Sequence, residues 1–282
     1  MGWADVCRQV ALFSQTAGGF TTLMTKGLEL PRTMEGSVKL LEETRHALEL
    51  LARSGRNTLP FHYIYEIEPA VAAARRSVMM TPLQHRGVLR TLESCVTIFN
   101  TLSGEGQLSA LVPCSSLVTS TLVQAYVDEV SRCLDGGRLA DTASENLAAI
   151  RSDRRENKEN LRIKMDQWAQ DLFQKGVCER QQVVIRRGRL CVPVRAGRQG
   201  DVCSGSVVLA QSSTGSTFFV EPGDVVQLNN DETELEALEQ EEEERILTQM
   251  TSLLATAGND ALDLLKAVTR IDIACTWHGA VF

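Results

Sequence analysis

The stretch Gly188-Arg189-Leu190-Cys191-Val192-Pro193-Val194-Arg195 decides the fold that this sequence predicts. It belongs to a group of four short runs of β-branched and aromatic residues that end in Gly, Pro or Ser, which is typical of β-strands. The runs are Val183–Ile185, Leu190–Val194, Ser206–Leu209 and Thr217–Val220. Helical patterns flank them from about Ser144 to Lys175 and from about Asn230 to Thr269. We therefore predict a small β-rich module at the tip of two long helices.

The residues before the first long helix predict a bundle of shorter helices. A break near Gly18-Gly19 is expected within 3–28, and Thr33 is a candidate N-cap for the next helix. The apolar face of that next helix is expected to consist of Val38, Leu41, Leu48 and Leu51, with its end at residues 54–57. Further helices are predicted over Val71–Met79, Pro82–Leu102 and Ser115–Cys133. The expected fold class is therefore mainly α.

The composition of the chain is that of an ordinary globular protein. The 282 residues are 43% hydrophobic and 23% charged, which is ordinary for a soluble globular chain, and the net charge of −7 argues against general nucleic-acid binding by bulk charge. The eight cysteines lack the spacing of metal ligands and sit in apolar contexts, so they predict buried thiols in a reducing compartment. We expect no membrane span, and the first residues resemble no targeting signal.

Charge is distributed unevenly along the chain. Residues 151–198 contain thirteen Arg or Lys against six Asp or Glu, whereas residues 231–244 contain nine carboxylates and no basic residue. Antiparallel pairing of the two long helices would bring Glu236, Glu239 and Glu243 near a basic set. That set is Arg154, Arg155, Lys158 and Arg162. The alternative is that Glu241–Glu244 is a solvated helix face. The segment 151–160 is polar on all sides and continues the helical register, so we expect it to be an exposed stalk.

The candidate binding residues are the arginines of the β module. They are Arg186, Arg187, Arg189, Arg195 and Arg198. Every basic residue in 177–230 is Arg, which suits bidentate contact with phosphate. If several of these residues alternate along a hairpin, their guanidinium groups share one face. Two readings remain open, namely phosphate-backbone binding and pairing with the acidic helix.

The sequence predicts no catalytic, cofactor-binding or metal-binding residue. There is no phosphate-binding Gly-rich motif, and Gly197–Gly200 and Ser213–Ser216 are interpreted as hairpin turns. Cys191 and Cys203 are interpreted as core thiols because no histidine lies near them in sequence. Glu221–Asp224 is interpreted as a turn with a capping acid.

Four strings together resemble the MutS-like proteins of the second type (MutS-two), which are relatives of mismatch-repair MutS. They are Leu40–Leu51, Ala143–Arg151, Gly188–Val194 and Ser213–Pro222, the last followed by Leu228–Asn230. The resemblance covers nearly the whole chain, in the order and spacing of the family. It implies a helical core over 1–142, an incoming lever helix over 143–176 and a β-rich clamp over 177–230. An outgoing lever helix over 231–270 and a lead into an ATPase domain over 271–282 would follow.

The resemblance also implies a function. Family members bind mismatched or branched DNA in an ATP- and Mg-dependent manner, act in DNA repair and recombination suppression, and in bacteria rescue collided ribosomes. This chain shows neither the Walker motif nor the small MutS-related nuclease domain, so we expect a non-catalytic DNA-binding segment without cofactors. Expected partners are duplex or branched DNA, with ribosomal RNA or a partner ATPase domain as alternatives, and homodimerisation where an ATPase domain is present. The expected location is cytoplasmic or nucleoid-associated, or a plastid.

Overall fold

A computed structural model describes residues 2–28, 30–54, 59–104 and 120–281. Within these residues the fold is mainly helical with a small antiparallel sheet, as the sequence predicts. The chain divides into two compact units, one formed by Met1–Ala140 with Arg245–Phe282 and the other by Asp141–Glu244. We call them unit 1 and unit 2. The five-part division expected from the sequence stays a prediction.

Unit 1 is built from helices that precede and follow unit 2 in the sequence. The helices α1 to α6 span Trp3–Ala11, Ala17–Thr25, Met34–Ser54, Glu68–Arg75, Pro82–Gly104 and Thr121–Cys133. A short hairpin of β1 (Leu134–Asp135) and β2 (Arg138–Leu139) follows, with its turn at residues 135–138. The last helix of the chain, α8, spans Val226–Val281, so its later part belongs to unit 1 and its first part to unit 2.

Two helix predictions in unit 1 need correction. The first break lies at residues 12–16 and not at Gly18-Gly19, because Thr16 caps α2 by accepting a hydrogen bond from Gly19 N. Gly19 lies inside this helix, and its position favours glycine because a Cβ there would be 2.5 Å from Ser14 Oγ and 2.6 Å from Asp272 Oδ2. In α3 the predicted apolar face is wrong at Val38 and Leu41, which are exposed, whereas Leu48 is half-buried and the side chain of Leu51 lies outside the described residues.

The buried face of α3 carries Glu43 and Ala47, and the Glu43 carboxylate binds Arg270 of α8. A polar contact therefore sets the orientation of this helix. The predicted cap at its start is confirmed, because Thr33 Oγ1 accepts a hydrogen bond from Gly36 N at 3.2 Å. Most of the helix end predicted at 54–57 and the helix start predicted at Ser115 lie outside the described residues.

Unit 1 contains two buried polar clusters. The Asp272 carboxylate accepts hydrogen bonds from the Ser14 and Thr16 hydroxyls, both at 2.6 Å, and from the backbone N–H groups of Gln15 and Thr16. The second cluster places His85 between the Tyr126 hydroxyl, 3.0 Å from Nδ1, and the Thr251 hydroxyl, 3.3 Å from Nε2. Burial lowers the pKa of His85 from 6.5 to about 4, since the charged imidazolium would lose its hydration.

Unit 2 places a four-stranded sheet beside two helices. Helix α7 spans Glu145–Gln174 and begins at Ser144, whose hydroxyl oxygen accepts from Asn146 N and Leu147 N. The strands β3 (Val184–Arg186), β4 (Arg189–Arg195), β5 (Val207–Gln211) and β6 (Thr217–Glu221) pair antiparallel in the order β3-β4-β6-β5. All four predicted strands are therefore confirmed. One turn is wrong, since β4 and β5 are not neighbours and Gly197–Gly200 belongs to a connection between them.

Helix α7 and the first part of α8 are joined by salt bridges between their side chains as well as by apolar contacts. Arg151 binds Glu239 and Glu243, and Arg154 binds Glu232, Glu236 and Glu239, all at 2.7–2.8 Å. Partners later in α7 lie earlier in α8, so the pairing is antiparallel. The predicted use of the acidic run is thus confirmed for Arg154 and for Lys158, which lies 3.4 Å from Glu232, with Arg151 as an unforeseen centre.

Other parts of the same prediction are wrong. Arg155 binds Asp141, and Arg162 binds Glu159 and Asp166 of its own helix, so neither faces the acidic run. The segment 151–160 is not uniformly exposed, because Asn157 is buried and donates from Nδ2 to Leu228 O at 3.0 Å. Of the four consecutive glutamates, Glu241 and Glu244 are exposed, whereas Glu242 is buried and accepts from Ser144 Oγ.

Candidate nucleic-acid interface

The alternation of β4 separates an inner face from an outer face of the sheet. Val192 and Val194 point inward and pack, together with Val220, against Leu161 and Met165 of α7. Pro193 and Arg195, at the alternate positions, point outward. On β6, Phe219 pairs with Pro193 and Thr217 pairs with Arg195, so these two residues share the outer face. The core of unit 2 therefore fixes which side chains reach the outer surface.

Pro193 is compatible with this inner strand because of the register. Strand β3 pairs only with residues 189–191 of β4, so Pro193 lies beyond the end of β3. Beyond the end of β3, the edge of β4 that faces away from β6 is contacted by Val177, whose carbonyl oxygen accepts from the backbone N–H of Arg195 at 3.0 Å. The missing N–H of Pro193 therefore removes no strand–strand hydrogen bond.

A groove of about 290 Å³ runs across this outer face. It is lined by three exposed arginines, Arg180, Arg186 and Arg195, around the half-buried ring of Phe219. The Arg186 guanidinium carbon lies 4.1 Å from the centre of the Phe219 ring, which is a cation–π contact. The closest charged partner of Arg195 is Glu179 at 3.8 Å, with both side chains more than half exposed.

The five predicted arginines fall into different environments. Arg186 and Arg195 meet in the groove, whereas Arg187 is exposed at the β3–β4 turn. Arg187 and Gly188 have φ angles of 53° and 76°, and two positive φ values in succession are what a tight hairpin turn requires. The expectation that several guanidinium groups share one face is thus met by Arg186 and Arg195, but not by Arg187.

Arg189 and Arg198 bind carboxylates of the same unit. Arg189 contacts Glu221, which is buried, and also donates from Nη2 to Val226 O at 3.1 Å and to Asn230 Oδ1 at 2.8 Å. Arg198 forms an ion pair with Asp201 on the connection between β4 and β5. The predicted turn is present, since Val225 N donates to Pro222 O at 3.1 Å. Glu221, however, is the last residue of β6, and its carboxylate is the centre of a buried polar cluster. Asp224 accepts from Trp168 Nε1 at 2.8 Å.

Arg180 is the groove residue that the sequence prediction did not single out. It precedes β3, so the alternation of side chains along a strand could not be used to predict which face it occupies. The only sequence signal was its place among the thirteen basic residues of 151–198. Within the part of the chain that the structure describes, no carboxylate contacts Arg180 or Arg186.

Cys191 is a core thiol, as predicted, whereas Cys203 is only half-buried and its Sγ accepts a hydrogen bond from Gly223 N at 3.1 Å. Cys191 is fully buried, and burial raises its pKa to about 11, so the reactive thiolate is scarce at neutral pH. All seven cysteines of the described residues are free, and six of them are buried. No cluster of His, Cys, Asp or Glu among those residues has the geometry of a metal site. None of the described helices is both long and apolar enough to cross a membrane.

Comparison with known proteins identifies the relatives of this chain. No model of a protein family matches it. Proteins named endonuclease MutS2 do match, among them the following three. That of Thermomicrobium roseum is 33% identical over 248 residues, which is 83% of this chain and 29% of that protein. That of Symbiobacterium thermophilum is 30% identical over 261 residues, 90% of this chain and 32% of that protein. That of Synechocystis sp. is 27% identical over 288 residues, 99% of this chain and 34% of that protein.

These matches place the chain among the MutS-like proteins. More specifically, it is a homologue of a segment of the proteins named endonuclease MutS2, and the resemblance inferred from its motifs is confirmed. The chain spans about a third of the length of these relatives.

Proposed function

We propose that this chain is a nucleic-acid-binding segment of a MutS-like protein and that the outer face of the sheet in unit 2 is its binding surface. The observation that carries the proposal is the convergence of Arg180, Arg186 and Arg195 on one groove. Arginine forms charge-assisted, often bidentate hydrogen bonds with phosphate, and displacement of counterions from the phosphate backbone favours binding. In the terms of the family, the sheet would be the clamp and the paired helices the lever.

Binding of this kind carries little sequence information. Phosphates are identical at every position, so contacts with them set affinity and not base preference. We propose duplex or branched DNA as the ligand, in keeping with a role in DNA repair and recombination. The groove supplies binding, and we assign no bond cleavage to it. Ribosomal RNA offers the same phosphate chemistry, and a competition experiment distinguishes it from DNA.

The test measures fluorescence anisotropy of labelled duplex and four-way-junction DNA over a range of salt concentrations. The triple variant R180Q/R186Q/R195Q should bind about tenfold more weakly at moderate salt, with the slope of log K against log[salt] reduced by about 2–3. The control R155Q/R162Q/K164Q removes three exposed charges from α7 and should retain most of the affinity. An equal loss in both variants, or no binding by the unmodified chain at low salt, refutes the proposal. Unlabelled ribosomal RNA that competes better than DNA would reassign the ligand.

An exposed apolar stripe on α3 favours a second candidate function, that of a docking module. Met34, Val38 and Leu41 lie on one helix face and are 86%, 45% and 70% exposed. Such a stripe would suit contact with another domain, for which an ATPase domain is the proposed occupant. Sedimentation of the wild-type chain and of M34E/V38E/L41E tests this candidate. A monomeric wild-type chain whose solubility the variant does not change would count against it.

A further inference from the structure

The groove contains an aromatic ring as well as charge, and phosphate binding alone does not need the ring. We propose that the groove takes one unpaired nucleotide, whose base stacks in the layer formed by Phe219 and Arg186 while its flanking phosphates bind Arg180 and Arg195. This inference rests on the proposed function of the same groove and specifies its ligand as a strand with an accessible base.

The arrangement of Phe219 supports stacking. The ring is half-buried, and it pairs across the sheet with Pro193, which supplies an apolar floor. Arg186 covers the ring, with its guanidinium carbon 4.1 Å from the ring centre, so the guanidinium and the ring form a layer. Bases of single strands stack on aromatic rings and on arginine planes, whereas a paired base is already stacked on both sides within its duplex. An intact duplex could therefore reach the arginines but not this layer.

The rim of the groove fits the edge of a base. Gln182, Ser212 and Thr217 line it, and their amide and hydroxyl groups both donate and accept hydrogen bonds. Such groups adapt to any of the bases, so we expect little base preference. The volume of about 290 Å³ lies at the lower limit of pockets that hold a small ligand, about 300–1,000 Å³. It suits one nucleotide and not a base pair.

Glu179 supplies an internal check on where the phosphate lies. Its carboxylate is 3.8 Å from Arg195 and lines the same groove, so it repels an anion that approaches this arginine. Glu179→Gln should therefore bind a single strand several-fold more tightly at low salt. An unchanged or weakened affinity in this variant would exclude a phosphate beside Arg195.

The test compares a perfect duplex, the same duplex with one bulged nucleotide, and the bulged duplex with an abasic site at the bulge. The full chain should prefer the bulged duplex by about 5- to 100-fold, as expected for one stacked base. Both the abasic site and Phe219→Leu should remove this preference. Phe173→Leu, at an exposed ring on α7, is the matched control and should keep it.

The outcomes separate this inference from the proposed function. Equal binding of perfect and bulged duplexes, with R180Q/R186Q/R195Q still weakening both, refutes stacking but leaves phosphate binding intact. No binding of any of these nucleic acids refutes both. The abasic comparison uses the unmodified chain, so it decides even if Phe219→Leu does not fold.

Discussion

The guanidinium of Arg189 lies against the buried carboxylate of Glu221, with Nη2 2.8 Å and Nε 3.0 Å from Oε1. Asn229 Nδ2 donates to the same oxygen at 2.6 Å, so one carboxylate joins β4, β6 and the start of α8. Because these groups are held in the interior of unit 2, Arg189 serves the fold and is not expected to contact phosphate directly.

Glu221→Ala should lower the free energy of unfolding by about 3–5 kcal/mol, because removing one partner leaves a buried charge uncompensated. Urea denaturation followed by circular dichroism measures the change. Asp201→Ala is the control. It breaks the half-exposed pair with Arg198 and should cost less than about 1 kcal/mol. Similar losses in the two variants would contradict a structural role particular to Glu221.

Asp272→Ala should destabilise unit 1 by about 3 kcal/mol, because it leaves the buried donors of Thr16 and the partly buried donors of Ser14 and Gln15 without an acceptor. Hydrogen exchange gives the sharper measurement, since the amides of Gln15 and Thr16 should lose protection first. Asp263→Asn, at an exposed carboxylate on the same helix, should leave those two amides unchanged. Unaltered protection in Asp272→Ala would show that the carboxylate does not hold this segment.

Stability should fall in acid through His85. Its pKa is about 4 in the folded chain, whereas the ordinary value of 6.5 applies in the unfolded chain. At a pH between these two values, the unfolded chain therefore binds one more proton at His85 than the folded chain does. The contribution is fully present above pH 6.5 and is lost as pH falls toward 4, with a total of about 3 kcal/mol.

His85→Gln removes this titration, so its free energy of unfolding should change less over the same pH range. Chemical denaturation of both chains at several pH values measures the effect, and subtracting the two profiles removes the carboxylate titrations that they share. Parallel profiles would contradict a neutral, buried His85.

Gly223→Ala should destabilise unit 2 by about 1–3 kcal/mol, because a Cβ there would collide with Ser204 O and lie 2.9 Å from the carbonyl carbon of Gly205. Gly200→Ala is the matched control, since no neighbouring atom lies within 4 Å of its added Cβ. Thermal melts of the two variants compare the costs. Equal melting temperatures would show that the segment around Ser204 adjusts to the extra methyl group.

The features that were predicted correctly from the sequence are those that depend on residues close together along the chain. The four strands and the cap at Thr33 follow from alternation and local hydrogen bonding, and these predictions agree with the structure. The shared origin with MutS2 proteins was likewise readable from short motifs.

What the sequence did not predict depends on contacts between distant segments. Arg189 and Arg186 look equivalent in sequence, yet only Arg189 meets Glu221, which is 32 positions away. Val38 and Leu41 fit a helical stripe, but the Glu43 contact with Arg270, 227 positions away, turns that stripe outward. Charge and periodicity identify candidate binding residues and candidate buried faces. Which candidates have these roles depends on the tertiary contacts of the folded chain.

The Ser14 hydroxyl and the Asp272 carboxylate are 258 positions apart, with the whole of unit 2 encoded between them. During synthesis the beginning of unit 1 therefore leaves the ribosome long before the helix that completes it, whereas unit 2 is continuous and can fold as soon as it emerges. Closure of unit 1 is a late, long-range step, which is slow for reasons of loop entropy. Until that step, the donors at residues 14–16 lack their acceptor, and this interval is when a nascent chain is most exposed to misassembly.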